Sequence, residues 1–176
     1  MNRDKWIKIL VVVFLLVCFG QERFLATAGT EELEAMHAIH VEIPVELEKA
    51  NVVFNMDHLA FAGDLPVGIN YMHLLANRFK EMGTKGRIIG VFHGYAAYMT
   101  LNDKAYNAFR KVSTGNPYKG LIAELLRQGV QVEECAVSTK HHNWGNDDLL
   151  PGVKVNAGAV GRLIQLVQEG YVQIQP

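Results

Sequence analysis

The sequence predicts an α/β fold, a three-layer α/β/α sandwich around a mainly parallel five-stranded sheet. Two observations predict it. Between residues 50 and 176, short apolar β-type runs alternate with segments of helical length, the order that builds a parallel sheet with helices on both faces. The runs themselves, such as NVVFNM and RIIGVF, are continuously apolar, as expected of strands covered on both sides.

The chain has 176 residues, and its first 28 read as a secretory signal peptide. Arg3, Lys5 and Lys8 form the positive start, residues 9–19 an apolar run, and Ala26-Thr27-Ala28 a cleavage site before Gly29. The run is shorter than the roughly 20 residues a membrane span needs, so an uncleaved anchor is the alternative reading. Lipidation at Cys18 is disfavoured by Val17, which sits where a small residue is wanted. The expected protein is exported to the periplasm, with no stable membrane insertion.

Residues 29–49 form a Glu-rich arm with His37, His40 and Pro44. The first strand is 51–56. Residues 65–82 follow with Ile69, Met72, Leu75, Ala76 and Phe79 at helical spacing; Pro66 sits near the start and Gly83 just past the end. The second strand, 87–92, runs into His93-Gly94. Helices at 102–112 and 118–128 are separated by the breaker STGNP and stopped by Gly129. Residues 130–137 are the third strand and 153–156 a short fourth. A helix at 157–168, stopped by Gly170, leads to a last strand at 171–174. No repeat or linker interrupts residues 50–176.

Cleavage removes four basic and two acidic residues, taking Lys+Arg from 17 to 13 and Asp+Glu from 18 to 16, a net charge of −3. That balance gives no electrostatic case for nucleic acid. One cysteine, Cys135, then remains. It cannot form an internal disulfide, so it is free, reactive or paired between chains.

Chemistry is expected at the carboxyl ends of the strands, where open α/β sheets place their sites. The first strand delivers Asn55, Asp57 and His58, and the second His93, Gly94 and Tyr95. The third delivers Cys135, Ser138 and Thr139, with Lys140, His141 and His142 in the loop after it. Cys135 is the catalytic candidate. A thiolate is a nucleophile whose pKa falls beside positive charge, and Lys140, His141 or His142 could supply that charge. The plainer reading is a small buried hydrophobe at a strand end. Exposure of the sulfur separates the two: a buried sulfur facing a helix sinks the chemical reading. Glu133 and Glu134 would oppose ionisation if they shared its surroundings, and alternation places Glu133 on the cysteine's face and Glu134 on the other. Asn55, Asp57, His93, Gly94, Thr139, Lys140, His141 and His142 are the candidate substrate-binding residues. Asn55 and Asp57 could equally cap a turn, and His93 could be a turn histidine.

Several chemistries are missing their signatures. There is no Walker loop, GxGxxG turn or CxxCH, and the seven histidines form no HxxxH or HExxH pattern. No cofactor and no dedicated metal site are expected, although a surface His pair that takes up copper stays open.

Four blocks in order, VVFNMD, a strand ending in FHG, GVQVEECAVST, and NDDLLPGVKVNAGAVGRLIQLVQEGYVQIQP, give the chain its resemblance to the DsrE/DsrF-like family. These are small α/β proteins related to the sulfur-relay components of the DsrEFH and TusBCD type. The resemblance covers roughly residues 50–176. It implies a Rossmann/flavodoxin-like parallel sandwich that assembles into trimers or hexamers, an expectation to which Tyr95, Tyr98, Met99 and Phe109 add exposed-looking aromatic and apolar content. It also implies a cysteine that carries sulfur as a persulfide, a role only Cys135 can take here, with backbone N–H groups after the strand holding the anionic sulfur. A sulfur-donor or acceptor protein would be the partner. The relay proteins are cytoplasmic, whereas this chain carries an export signal. The competing reading is a non-catalytic oligomeric protein that binds a small ligand or metal, with Cys135 as packing.

Overall fold

The computed structural model describes residues 39–176. The expected signal peptide and residues 29–38 of the arm lie outside the described residues. Residues 39–45 carry no regular secondary structure and are exposed. The folded unit is Glu46–Pro176.

It begins with β1 (Lys49–Met56), whose Val52, Val53, Phe54 and Met56 are buried. A two-residue hairpin follows, β2 (Phe61–Ala62) with β3 (Leu65–Pro66), which the sequence reading absorbed into the helix start. Helix α1 (Val67–Met82) buries Ile69, Met72 and Phe79 and ends at Gly83 in the left-handed region. β4 (Lys85–Phe92) lies against it. A Cβ at Gly90 would stand 2.7 Å from Met72 Sδ, so that glycine lets the helix close onto the strand.

A 3-10 helix (Gly94–Thr100) comes next and was not expected. Helix α2 (Asp103–Arg110) is capped by Asn102, whose side chain accepts from the Ala105 N–H at 2.9 Å. Helix α3 (Lys119–Arg127) leads to β5 (Gln131–Cys135). The expected third strand, 130–137, is too long. Ala136 opens helix α4 (Ala136–His141), so Lys140 and His141 sit on a helix rather than a loop. A 3-10 turn (Asn146–Asp148), β6 (Lys154–Asn156), α5 (Ala159–Gln168) and β7 (Val172–Ile174) complete the chain.

The five-stranded sheet has the order β6-β5-β4-β1-β7, with every pairing parallel. Its two faces carry separate cores. One is the large cluster of Phe54, Met72, Phe92, Ile122 and Leu125 under α1 and α3; Tyr98 and Met99 belong to it, so they complete this core. The other lies under α5 and joins Val53, Val91, Leu163 and Leu166 with Cys135. Helices on both faces make the three layers.

The register sets what stands beside what at the carboxyl edge. Met56 is level with Phe92, Phe92 with Glu134, and Cys135 with Asn156. One residue further along, Asp57, His93 and Cys135 therefore lie in a row across three neighbouring strands.

Candidate functional site

The strand-end residues divide into two groups rather than converging on one. The first group is polar and lies against α5. His93 Nε2 is 2.7 Å from Asn55 Oδ1, Asn55 Nδ2 donates to Gln175 Oε1 at 2.6 Å, and Gln175 Nε2 donates to Asp57 Oδ1 at 2.9 Å. Because the Asn55 amide nitrogen faces Gln175, its oxygen faces His93. Nε2 of that histidine is therefore the donor and Nδ1 the free acceptor. Burial lowers the His93 pKa, with the Asp57 charge opposing, so the ring is neutral near pH 7. Burial pushes the Asp57 carboxyl up, but hydrogen bonds from His58 and Gln175 outweigh it and the net shift is downward. Asn55, Asp57 and His93 line a cavity of about 630 Å³ closed by Val160, Leu163 and Ile164 of α5.

The second group surrounds the turn after β4. Gly94 has φ +55, and a Cβ there would stand 2.8 Å from the Asp57 carbonyl oxygen, so both the conformation and the space call for glycine. Its N–H donates to Ser138 Oγ at 3.1 Å, which ties the turn to the first turn of α4. His141, His142 and Gly94 line a cavity of about 550 Å³ with Tyr98, Phe109 and Trp144. Trp144 is placed by its N–H bond to the Thr139 carbonyl and by the bridge between Leu101 and Leu149 just beyond it. His142 stacks on Trp144 with centroids 4.4 Å apart, and Phe109 meets both rings edge-on at 5.1 Å. Thr139 is buried and its hydroxyl donates to the Ala136 carbonyl, which occupies it inside its own helix. Lys140 is exposed.

Cys135 stands between the groups. It is 4% exposed, the N-cap of α4, and its Sγ accepts from the Ala159 N–H at the start of α5 at 3.2 Å. Burial pushes the thiol pKa up. The N–H groups of Ser138, Ala159 and Val137 and the Ser138 hydroxyl together outweigh burial and bring it below its ordinary value. Two helix N-termini thus meet at one sulfur. The groups that lower it are chiefly backbone amides, while His141 and His142 turn to the aromatic cavity.

The two glutamates before the cysteine are each neutralised. Glu133 shares the α5 face, where Arg162 Nη2 lies 2.8 Å from Oε1 and Nε 3.0 Å from Oε2. Burial pushes its carboxyl up, but Arg162, Gln131 and Asn156 hold it below the usual range. Glu134 points to the opposite face, fully buried. Burial raises its pKa to about 9, so it carries a proton at neutral pH. Neither presents an uncompensated negative charge to the thiol.

Sequence reasoning missed the second group's aromatic walls as a cavity, and it missed Arg110. It also left Ser138 out of the binding residues. A hydroxyl three positions after the cysteine, at the start of a helix, was the available signal. Among the described residues no three His, Cys, Asp or Glu side chains converge as a metal site, and no helix is long and apolar enough to cross a membrane.

The family model described as DsrE/DsrF-like matches residues 47–176. No curated protein matches the chain. Among solved structures, a protein of unknown function from Methanobacterium thermoautotrophicum is similar at 24% identity and TM-score 0.56, over 72% of this chain and 99% of that one. The ychN protein from E. coli is similar at 16% identity and TM-score 0.50, over 72% of this chain and 99% of that one. These likenesses concern the fold.

Proposed function

This chain belongs to the DsrE/DsrF-like family, and from that premise we propose that it takes up and relays reactive sulfur through a persulfide on Cys135, acting after export to the periplasm. Membership suggests a role related to sulfur relay. The observation that carries the finer reading is the setting of the sulfur: the Ala159 N–H donates to Sγ at 3.2 Å, and although burial pushes the thiol pKa up, that amide, those of Ser138 and Val137 and the Ser138 hydroxyl bring it below its ordinary value. Such a setting favours an anion, and both a thiolate and a terminal persulfide are anions at neutral pH.

The step balances without an external oxidant. The Cys135 thiolate attacks the sulfane sulfur of a polysulfide or persulfide donor. A new S–S bond forms to Sγ, the donor's S–S bond breaks, and the donor leaves as a thiolate with the electron pair. An acceptor thiolate then attacks the outer sulfur, and Cys135 departs as the thiolate it began as. The protein is at most a sulfurtransferase or carrier, and its partner is a donor or acceptor protein. The same reading holds it to be a homo-oligomer, trimer or hexamer, which the exposed Val160, Ile164 and Val167 on α5 and Val172 on β7 support.

One observation favours the second reading, a non-catalytic ligand-binding oligomer with a structural cysteine. At 4% exposure Cys135 is buried in the core under α5, where a donor does not reach the sulfur without local opening. Polysulfide treatment followed by peptide mass spectrometry decides between them. Added sulfur on Cys135, absent from Cys135→Ser, is the expected result. An unmodified thiol in protein shown to be folded returns the second reading.

A further inference from the structure

We infer that the cavity between the 3-10 helix Gly94–Thr100, α2 and α4 is a binding site for a small planar aromatic anion, such as an aromatic carboxylate. The inference goes beyond sulfur relay, because no step of that chemistry uses the cavity.

Size comes first. About 550 Å³ lies within the range of small-molecule sites and well above the space a few waters need. The shape of the walls comes next. Phe109 stands nearly perpendicular to Trp144, at 85°, and at 72° to His142. Tyr98 lies 5.9 Å from Phe109. These rings pack on one another and together form an aromatic wall of faces and edges along the cavity, against which another flat ring can lie.

Charge gives the anion. The cavity is lined by Arg110, His141 and His142 and by no carboxylate. The Arg110 guanidinium lies 4.9 Å from the Tyr98 ring centroid and, among the described residues, has no salt-bridge partner. A guanidinium flattened on an aromatic ring keeps its edge donors free, and those donors match a carboxylate in pairs. Burial and the neighbouring His141 lower the His142 pKa, so this ring serves at neutral pH as a stacking and hydrogen-bonding surface. The ligand's ring would lie against the wall of Phe109, Trp144 and His142, with its carboxylate toward Arg110. Ser138 and Val137 line the cavity and are also among the groups at the Cys135 sulfur, so a bound ligand would sit against residues shared with that site.

The test is isothermal titration of the full chain with 1-naphthoate, the neutral 1-naphthylmethanol, and cyclohexanecarboxylate. Saturable binding of 1-naphthoate is expected, with each of the other two about tenfold weaker or more. Arg110→Gln should erase the preference for the carboxylate over the alcohol, and Phe109→Ala should weaken both aromatic ligands. No saturable heat at about millimolar 1-naphthoate would overturn the inference. So would equal affinity for naphthoate and naphthylmethanol. Binding that appears only when the protein is diluted to monomer would assign the cavity to a second copy and overturn it as well. None of these readouts involves the thiol, so failure here leaves the sulfur reading standing, and an unmodified Cys135 leaves the cavity standing.

Discussion

Replacing Glu134 with glutamine should make the protein more stable, and increasingly so as the pH rises. Glu134 is completely buried; Oε2 lies 2.9 Å from Thr100 Oγ1, and that oxygen lies 2.9 Å from the Ala97 carbonyl. A threonine hydroxyl has one hydrogen. If it goes to Ala97, the contact with Thr100 needs a proton on the carboxyl, and burial, which raises the pKa to about 9, keeps one there at neutral pH. The ordinary value is 4.5. A folded pKa above the unfolded one means that stability is fully present below about pH 4.5 and is lost as the pH rises toward 9. At about pH 8 the folded protein holds a proton that the unfolded chain released roughly three and a half pH units lower, which costs about 5 kcal/mol. Glutamine keeps the shape, donates to Thr100 through Nε2, and never ionises. Urea denaturation of wild type and Glu134→Gln at about pH 5, 6.5 and 8 should show a difference that opens by several kcal/mol across the series. Comparing the two proteins cancels every other titrating group they share. Curves that stay parallel would refute the protonated carboxyl and the hydroxyl chain built on it.

Ser138→Ala should raise the Cys135 pKa, moving the pH profile of thiol alkylation in urea-free buffer toward higher pH; an unmoved profile would remove the hydroxyl from the groups that lower it. Arg162→Ala should leave a buried Glu133 charge unpaired and destabilise the fold by about 3 kcal/mol, read by thermal or urea melting. Because the folded Glu133 pKa is lowered, the pair's contribution persists at neutral pH and is lost on acidification, so the variant's deficit should shrink as the pH falls through the carboxylate range.

The sheet was legible because buried parallel strands write themselves as apolar runs, as β1 and β4 do, while β5 was found by its place between a helix and Cys135 despite Glu133 and Glu134. Helix α1 was legible from its apolar spacing and its terminal Gly83. The 3-10 helix Gly94–Thr100 was not, because Ala96 to Thr100 are all buried and leave no polar face to set a period. Helix α4 was hidden in the same way that β5 was lengthened: Ala136 and Val137 continue an apolar run, and only the backbone turns at Cys135. In the site, the strand-end rule found Asn55, Asp57, His93 and Cys135, and side-chain alternation sorted Glu133 from Glu134. It could not separate Gly94, His141 and His142 into a second cavity, since that division depends on where α2 and the segment around Trp144 come to rest. Nor could it weigh amides against cations, because an N–H group belongs to every residue but proline and leaves no mark in the order of side chains.

That difference matters for how the sulfur would behave as the salt around the protein changes. Mobile ions weaken charges that lie in water, within about 10 Å at moderate ionic strength, but they do not reach dipoles held inside a fold. A thiol tuned by exposed lysine or histidine would change its ionisation with every change of medium. The N–H groups of Val137, Ser138 and Ala159 are anchored by two helices and lie against a sulfur that water barely touches. The ionisation of Cys135 is therefore set by groups held inside the fold, the amides and the Ser138 hydroxyl, and should respond little to salt for as long as those two helices stay where they are.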